Sequence, residues 1–250
     1  MAPSHAAVSS LAVESKFTID YLRETKLFLA FKDAGFEPRV FFEIGSSNSA
    51  WSYQMAEIFP GARFHLFEPL LDHKAYYREG TEGVLRAHPD FRVHKVAAGD
   101  IDGTTKMGVD ASGCGASTLV TETNETFTEI IEVPIRRLDS LVFEQDLPRP
   151  EVLKIDVQGG ELGVLIGAGS LLDTVQLIQA EAWFTRGYWN QTPLLQEIME
   201  YLSAKGFLFV AFGSCFYSDL HELSHADAFF ARTDLLRRCA AALPKGSLTS

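Results

Sequence analysis

Apolar residues recur along this chain with two different periods, and the alternation between them predicts the fold. From about Glu14 to Ala34, Phe17, Tyr21, Leu27, Phe28 and Phe31 fall three or four residues apart, the spacing of a helix face. Gly35 and Pro38 then stop that helix. Val40 to Gly45 is a continuous apolar run broken only by Glu43, which predicts a strand buried on both faces. A helix over Ala50 to Phe59 follows, closed by Pro60-Gly61, and then a strand over Ala62 to Phe67. A charged helix over about Leu71 to Ala87 leads to a third strand over Phe91 to Ala98. The middle of the chain reads differently. Asp102-Gly103 is a hairpin signal, residues 113–118 are a run of small residues, and Thr126 to Arg137 alternates as a strand does. The strand–helix alternation then resumes with strands at Val152 to Val157 and Thr174 to Trp183 and helices at Glu161 to Ala168 and Pro193 to Lys205. Phe207 to Phe212 and Ala228 to Arg232 are the last strands. This order predicts an α/β fold: a Rossmann-like, doubly wound, mainly parallel sheet with a small β-insertion. Residues 1–35 read as a tail with an amphipathic helix, and residues 36–250 as one domain.

Composition narrows the classes of function. A 250-residue chain with 46% hydrophobic and 22% charged residues buries an adequate core without disulfide or metal staples. The net charge of −11 argues against a nucleic-acid partner and against docking on an anionic membrane. It is compatible with a cationic ligand, but it is also the usual way for a chain to stay soluble. The three cysteines, Cys114, Cys215 and Cys239, form no CxxC pair and read as reduced thiols. No apolar run reaches membrane-span length, and the first residues lack a basic start, so a cytoplasmic location is expected.

Chemistry is expected where open α/β sheets bind ligands, beyond the carboxyl ends of the strands. The first turn reads Glu43-Ile44-Gly45-Ser46-Ser47-Asn48-Ser49. With one glycine it lacks the GxGxxG that lets backbone approach a pyrophosphate. Glu43, Gly45 and the serines offer instead a sharp turn, a carboxylate and several donors, the needs of S-adenosylmethionine (SAM), which carries no phosphate. The same residues also suit a plain strand–helix turn whose Ser and Asn cap the next helix. Glu68 closes the second strand, where an acid accepts hydrogen bonds from ribose hydroxyls. Both SAM and NAD carry ribose, so Glu68 does not separate them.

The stretch Leu153-Lys154-Ile155-Asp156-Val157-Gln158-Gly159-Gly160-Glu161, followed by Val164-Leu165 and Gly167-Ala168, is similar to the LKIDVEGxE and VLxGA pattern of the FkbM methyltransferase family. Supporting matches are Val133 to Leu141, Phe67-Glu68-Pro69, Ala97 to Asp100, Gly115 to Leu119, and Tyr201-Leu202 with Gly206-Phe207, so the resemblance runs from about Val40 to Phe209. The first turn departs from the family's DxGANxGxxS: Glu43 stands for Asp, Ser46-Ser47 for Ala-Asn, and Ser49 for the second Gly.

The resemblance implies a SAM-dependent methyltransferase, most often acting on a hydroxyl of a sugar or natural product. It places Glu43, Gly45, Ser46, Ser47, Glu68, Pro69, Ala98, Gly99, Asp100, Ser117, Asp156 and Val157 around the cofactor, with Asp100 toward the adenine amine and Ser117 in a closing loop. An aliphatic hydroxyl needs a base or a metal to lose its proton. Asp156 and Glu181, on neighbouring strand ends, are the catalytic candidates, and Mg²⁺ between them is an option. An ion pair with Arg186 is the structural alternative for Glu181. Glu161 reads as a helix-dipole partner. Trp183, Phe184, Tyr188 and Trp189 suit either an acceptor wall or a packing cluster, and His221 with His225 is a weak metal pair. Carboxylate or nitrogen methylation, an NAD(P)-dependent oxidoreductase, and a binder without catalysis remain alternatives. The expected partner is a small-molecule or glycan acceptor. The N-terminal helix is a candidate cover for the site, a packing element on the sheet, or a homodimer contact.

Overall fold

The apolar runs become strands because each is flanked by turn residues and each finds a buried neighbour. In a computed structural model, which describes residues 22–111, 115–120, 127–188 and 190–242, the chain begins with α1 (Leu22–Asp33), β1 (Val40–Ile44), α2 (Ala50–Ile58), β2 (Arg63–Phe67), α3 (Ala75–Ala87) and β3 (Arg92–His94). It continues with β4 (Ala97–Ala98), β5 (Gly103–Val109), β6 (Glu129–Arg136), α4 (Leu138–Glu144), β7 (Val152–Ile155) and α5 (Glu161–Ala168). It ends with β8 (Leu177–Trp183), α6 (Leu195–Ser203), β9 (Phe207–Tyr217), β10 (Leu223–Arg232) and α7 (Thr233–Ala242). The parts of the expected first helix before Leu22, together with Cys114 and Trp189, lie outside the described residues.

Seven strands form one sheet in the order β3-β2-β1-β7-β8-β10-β9. The first five run parallel, and β10 is antiparallel to both its neighbours. Every residue of β1 and of β7 is buried, as a strand covered on both faces requires. Successive side chains of β1 enter different cores. Phe41 joins Phe28, Trp51, Met55, Phe64 and Phe229 on one face. Phe42 joins Leu153, Leu165, Leu172, Ile178 and Phe230 on the other. This is the doubly wound α/β architecture expected from the alternation. Chain order reverses between β1 and β7, which makes their carboxyl ends the place for a ligand.

The β-insertion is a second sheet of order β4-β6-β5, with a core of its own that includes Tyr77, Met107, Val133 and Ile135. The strand expected over Phe91 to Ala98 is in fact two. Arg92–His94 pairs with β2, whereas Ala97–Ala98 pairs with β6 in the other sheet. Two helices were not expected, α4 and α7. β9 and β10 run longer than their apolar cores suggest, because each continues as the other's ladder partner out to the Tyr217↔Leu223 pair. Among the described residues, no helix is long and apolar enough to cross a membrane.

Candidate active site

The turn after β1 is forced by one close approach. Gly45 has φ 77°, and a Cβ there would sit 1.8 Å from the Asp156 carbonyl oxygen, so only glycine lets the two strand ends meet. The amides of Gly45 and Ser46 both donate to the Phe67 carbonyl, at 2.9 and 3.1 Å. The next amide, of Ser47, donates to Glu68 Oε2 at 2.8 Å, and the amide of Leu70 donates to Glu68 Oε1 at 2.9 Å. Glu68 thus staples the first turn to the end of β2. Its burial pushes the carboxyl up to about 7, with those two N–H bonds and Lys154 pulling the other way.

An open cleft starts at this turn. Gly45, Ser47, Glu68 and Pro69 form its polar end. Leu70, Tyr77, Val96, Ala98 and Met107 give it an apolar wall, part of it from the β-insertion. Asp156 and Val157 line it from β7, and Ala116 and Thr118 from the small-residue segment. Of the expected site residues, Gly45, Ser47, Glu68, Pro69, Ala98, Asp156 and Val157 line this cleft.

Six expected site residues do not line this cleft. Glu43 lies beneath the turn, where Ser52 Oγ donates to it at 2.5 Å and Lys154 Nζ stands 3.8 Å away. Burial raises its carboxyl to about 7 despite both partners. Ser46 is buried, and its Oγ has no hydrogen-bond partner. Gly99 turns toward α5: a Cβ on Gly167 would come within 1.8 Å of the Gly99 oxygen. Asp100 is exposed, and its carbonyl accepts from Arg137 Nη1 at 3.0 Å. These two miss the cleft because Ala97–Ala98 leaves the main sheet to pair with β6. Ser117 Oγ donates to the Gln158 carbonyl at 2.6 Å, so it fastens the segment while its neighbours Ala116 and Thr118 face the cleft. Glu181 lies beyond Asp156, on β8.

Around Glu181 the sheet ends in a buried polar cluster. Lys154 Nζ donates to the Gly45 carbonyl at 3.1 Å and to Asp156 Oδ2 at 3.2 Å. Gln158 Nε2 lies between the two candidate acids, 3.0 Å from Asp156 Oδ1 and 3.3 Å from Glu181 Oε1. The Asp156–Glu181 gap is therefore filled by an amide and not shaped for Mg²⁺; among the described residues no group of three or more acids, His or Cys is placed to hold a metal. Glu181 Oε2 is buried without a hydrogen-bond partner. Asp227 is its register partner on β10, and His225 Nε2 stands 3.6 Å from Oε1. Burial, with Asp156, Glu161 and Asp227 nearby, pushes the Glu181 carboxyl well up. Arg186 does not compensate it, because it pairs with Glu197 at 2.8 Å.

Glu161 does more than face the dipole of α5. Its Oε1 accepts from the amides of Val157 and Gly159, at 3.1 and 3.0 Å, and so shapes the turn after β7. Trp183 meets Tyr188 edge-on at 5.7 Å and stacks on His225 at 4.7 Å. His225 belongs to that stack, and His221 sits in the β9–β10 turn. Lys154 and Gln158 are the polar residues that site reasoning passed over. A lysine inside the buried run Val152 to Ile155 was the available signal, since a buried charge requires a partner.

Residues 40–209 match the family model described as the methyltransferase FkbM domain. The chain belongs to the FkbM methyltransferase family. No curated protein matches it. Among solved structures, the FkbM methyltransferase of Methylobacillus flagellatus is 15% identical with TM-score 0.49, over 77% of this chain and 43% of that one. The chain thus spans less than half of that family member. A magnesium protoporphyrin IX methyltransferase from Synechocystis, solved with bound SAM, is 8% identical with TM-score 0.48 over 92% of both chains. A precorrin-6Y C5,15-methyltransferase from Geobacter metallireducens is 12% identical with TM-score 0.47, over 87% of this chain and 91% of that one.

Proposed function

We propose that this FkbM-family chain is a SAM-dependent methyltransferase that acts on a hydroxyl of a small molecule or sugar. The observation that carries the reading is the cleft at the β1–β7 switch point, which joins two carboxylates, Glu68 and Asp156, to an apolar wall. That donor set fits SAM. Glu68 retains lone pairs to accept from ribose hydroxyls, Asp156 suits the cationic amino end, and Leu70, Val96 and Met107 suit the adenine. The single-glycine turn gives a pyrophosphate no close backbone approach, which disfavours NAD(P).

SAM, when bound, supplies an activated methyl group on a positively charged sulfur. The chain's own contribution is to orient the acceptor and receive its proton. Glu181 Oε2 is the atom for that proton: it has no hydrogen-bond partner, and burial, with the surrounding acids, raises its affinity for one. Trp183 and Tyr188, two and seven residues on, give the acceptor an aromatic wall.

Calorimetry with SAM, S-adenosylhomocysteine and NAD is the direct test. Binding of the first two without NAD is expected; NAD binding without SAM would overturn the reading. Labelled methyl transfer from SAM to a panel of sugars and small alcohols then tests the acceptor, with turnover falling roughly 100-fold or more in Glu181→Gln while SAM still binds.

A further inference from the structure

Gln158 occupies the point where the cofactor cleft meets the acids of β7 and β8. It has φ 55°, a left-handed conformation that costs a non-glycine residue free energy unless its contacts repay it. Those contacts engage the whole residue. Nε2 donates to Asp156 Oδ1 at 3.0 Å and to Glu181 Oε1 at 3.3 Å. Oε1 accepts from the Tyr188 hydroxyl at 3.1 Å, and the main-chain carbonyl accepts from Ser117 Oγ at 2.6 Å. An uncharged amide can donate twice on one side and accept on the other, and a carboxylate cannot. The carboxylates of Asp156 and Glu181 fix which side is which, because ionised carboxylates only accept; the Tyr188 hydroxyl, which also reaches the Gly115 carbonyl at 3.1 Å, lies on the opposite side of the amide. Burial and the neighbouring carboxylates raise the Tyr188 pKa, so its hydroxyl keeps the proton that either Gln158 Oε1 or the Gly115 carbonyl accepts.

Glu181 is surrounded by groups that oppose its ionisation. Asp156 at the end of β7, Glu161 on α5 and Asp227 on β10 are all acids near it. Lys154 lies on its β7 side and pulls the other way, and His225 on β10 stands 3.6 Å from Oε1. The Gln158 amide is the polar group that separates the Asp156 and Glu181 carboxylates.

We propose that Gln158 is a positioning residue whose amide, bridging Asp156 and Glu181, holds Glu181 by Oε1 and leaves Oε2 as the proton acceptor. The proposal rests on reading Glu181 as the base. It assigns Gln158 no contact with either substrate.

The test is a carbon-13 NMR titration of the glutamate carboxyls in the full chain without cofactor. The Glu181 resonance is assigned by its loss in Glu181→Gln. Gln158→Gly removes the amide yet keeps the backbone, because glycine adopts φ 55° freely. Gln158→Glu keeps the length and places a third carboxylate between the other two. Loss of the donor is expected to raise the Glu181 titration by about one pH unit in Gln158→Gly and further in Gln158→Glu, with Glu68 unmoved. If Gln158→Gly does not fold, Tyr188→Phe, which removes the hydroxyl at Gln158 Oε1 and so loosens the amide, is expected to give a smaller rise. With SAM and an acceptor, the acidic limb of the rate profile moves up by the same amount while SAM affinity stays constant. An unchanged Glu181 titration in a folded variant overturns the proposal. Failure of the parent chain to bind SAM sinks the methyltransferase reading instead, and the cofactor-free titration still judges Gln158.

Discussion

Glu68 and Glu181 are both buried acids at the carboxyl ends of parallel strands, yet their surroundings make them opposites. Each oxygen of Glu68 accepts a backbone N–H, from Ser47 and from Leu70. Glu181 has one oxygen shared with an amide, the other without a hydrogen-bond partner, and three acids close by. The first arrangement spends a carboxylate on fixing a loop. The second keeps one ready to take up a proton. The strand end supplies the position, and the partners decide the role.

The comparison can be broken first at Gly45. Gly45→Ala drives a Cβ into the Asp156 carbonyl at a left-handed φ, and is expected to cost about 3 kcal/mol or more in urea unfolding. A loss under about 1 kcal/mol would mean the strand ends are free to separate. Next is Glu68→Ala, which leaves the Ser47 and Leu70 amides without their acceptor. SAM affinity is expected to fall about 10- to 100-fold by calorimetry, and an unchanged affinity would reduce Glu68 to a purely structural staple.

Glu43 sharpens the contrast through pH. Its folded carboxyl is raised from 4.5 to about 7 by burial. A raised acid stabilises the fold fully below its unfolded value, and that contribution is lost as pH rises through about 7. Glu43→Gln cannot ionise, so its stability relative to the parent is expected to climb across that window in denaturant melts. A difference that does not vary with pH would show Lys154 and Ser52 holding Glu43 ionised throughout. The smallest effect belongs to Asp100→Ala: since Asp100 lies outside the cleft, SAM affinity is expected to hold within about twofold. A larger loss would return Asp100 to the adenine end.

Much of the main sheet was legible because a strand covered on both faces must be apolar throughout, as Val40–Ile44 and Val152–Ile155 nearly are. Two helices had readable signals that the alternation hid. In α7, Thr233-Asp234 opens a turn, and Leu235 and Cys239 are four residues apart and buried. In α4, Leu138, Leu141 and Val142 have helical spacing. The Ala97–Ala98 pairing had no such signal. Two small apolar residues fit either sheet, and only the presence of β6 beside them decides. Gly99 and Asp100 were misplaced by that one step.

The sequence by itself determined the α/β order, the family, the switch-point turn at Gly45 and the acids Glu68 and Asp156, since period, turn chemistry and motif spacing are local properties. Tertiary structure alone decided that Glu43 sits under the turn with Lys154, that the β-insertion walls the cleft, and that Gln158 lies between Asp156 and Glu181. Hydrogen-bond partners and desolvation depend on which segments meet in space, and neither is a function of distance along the chain.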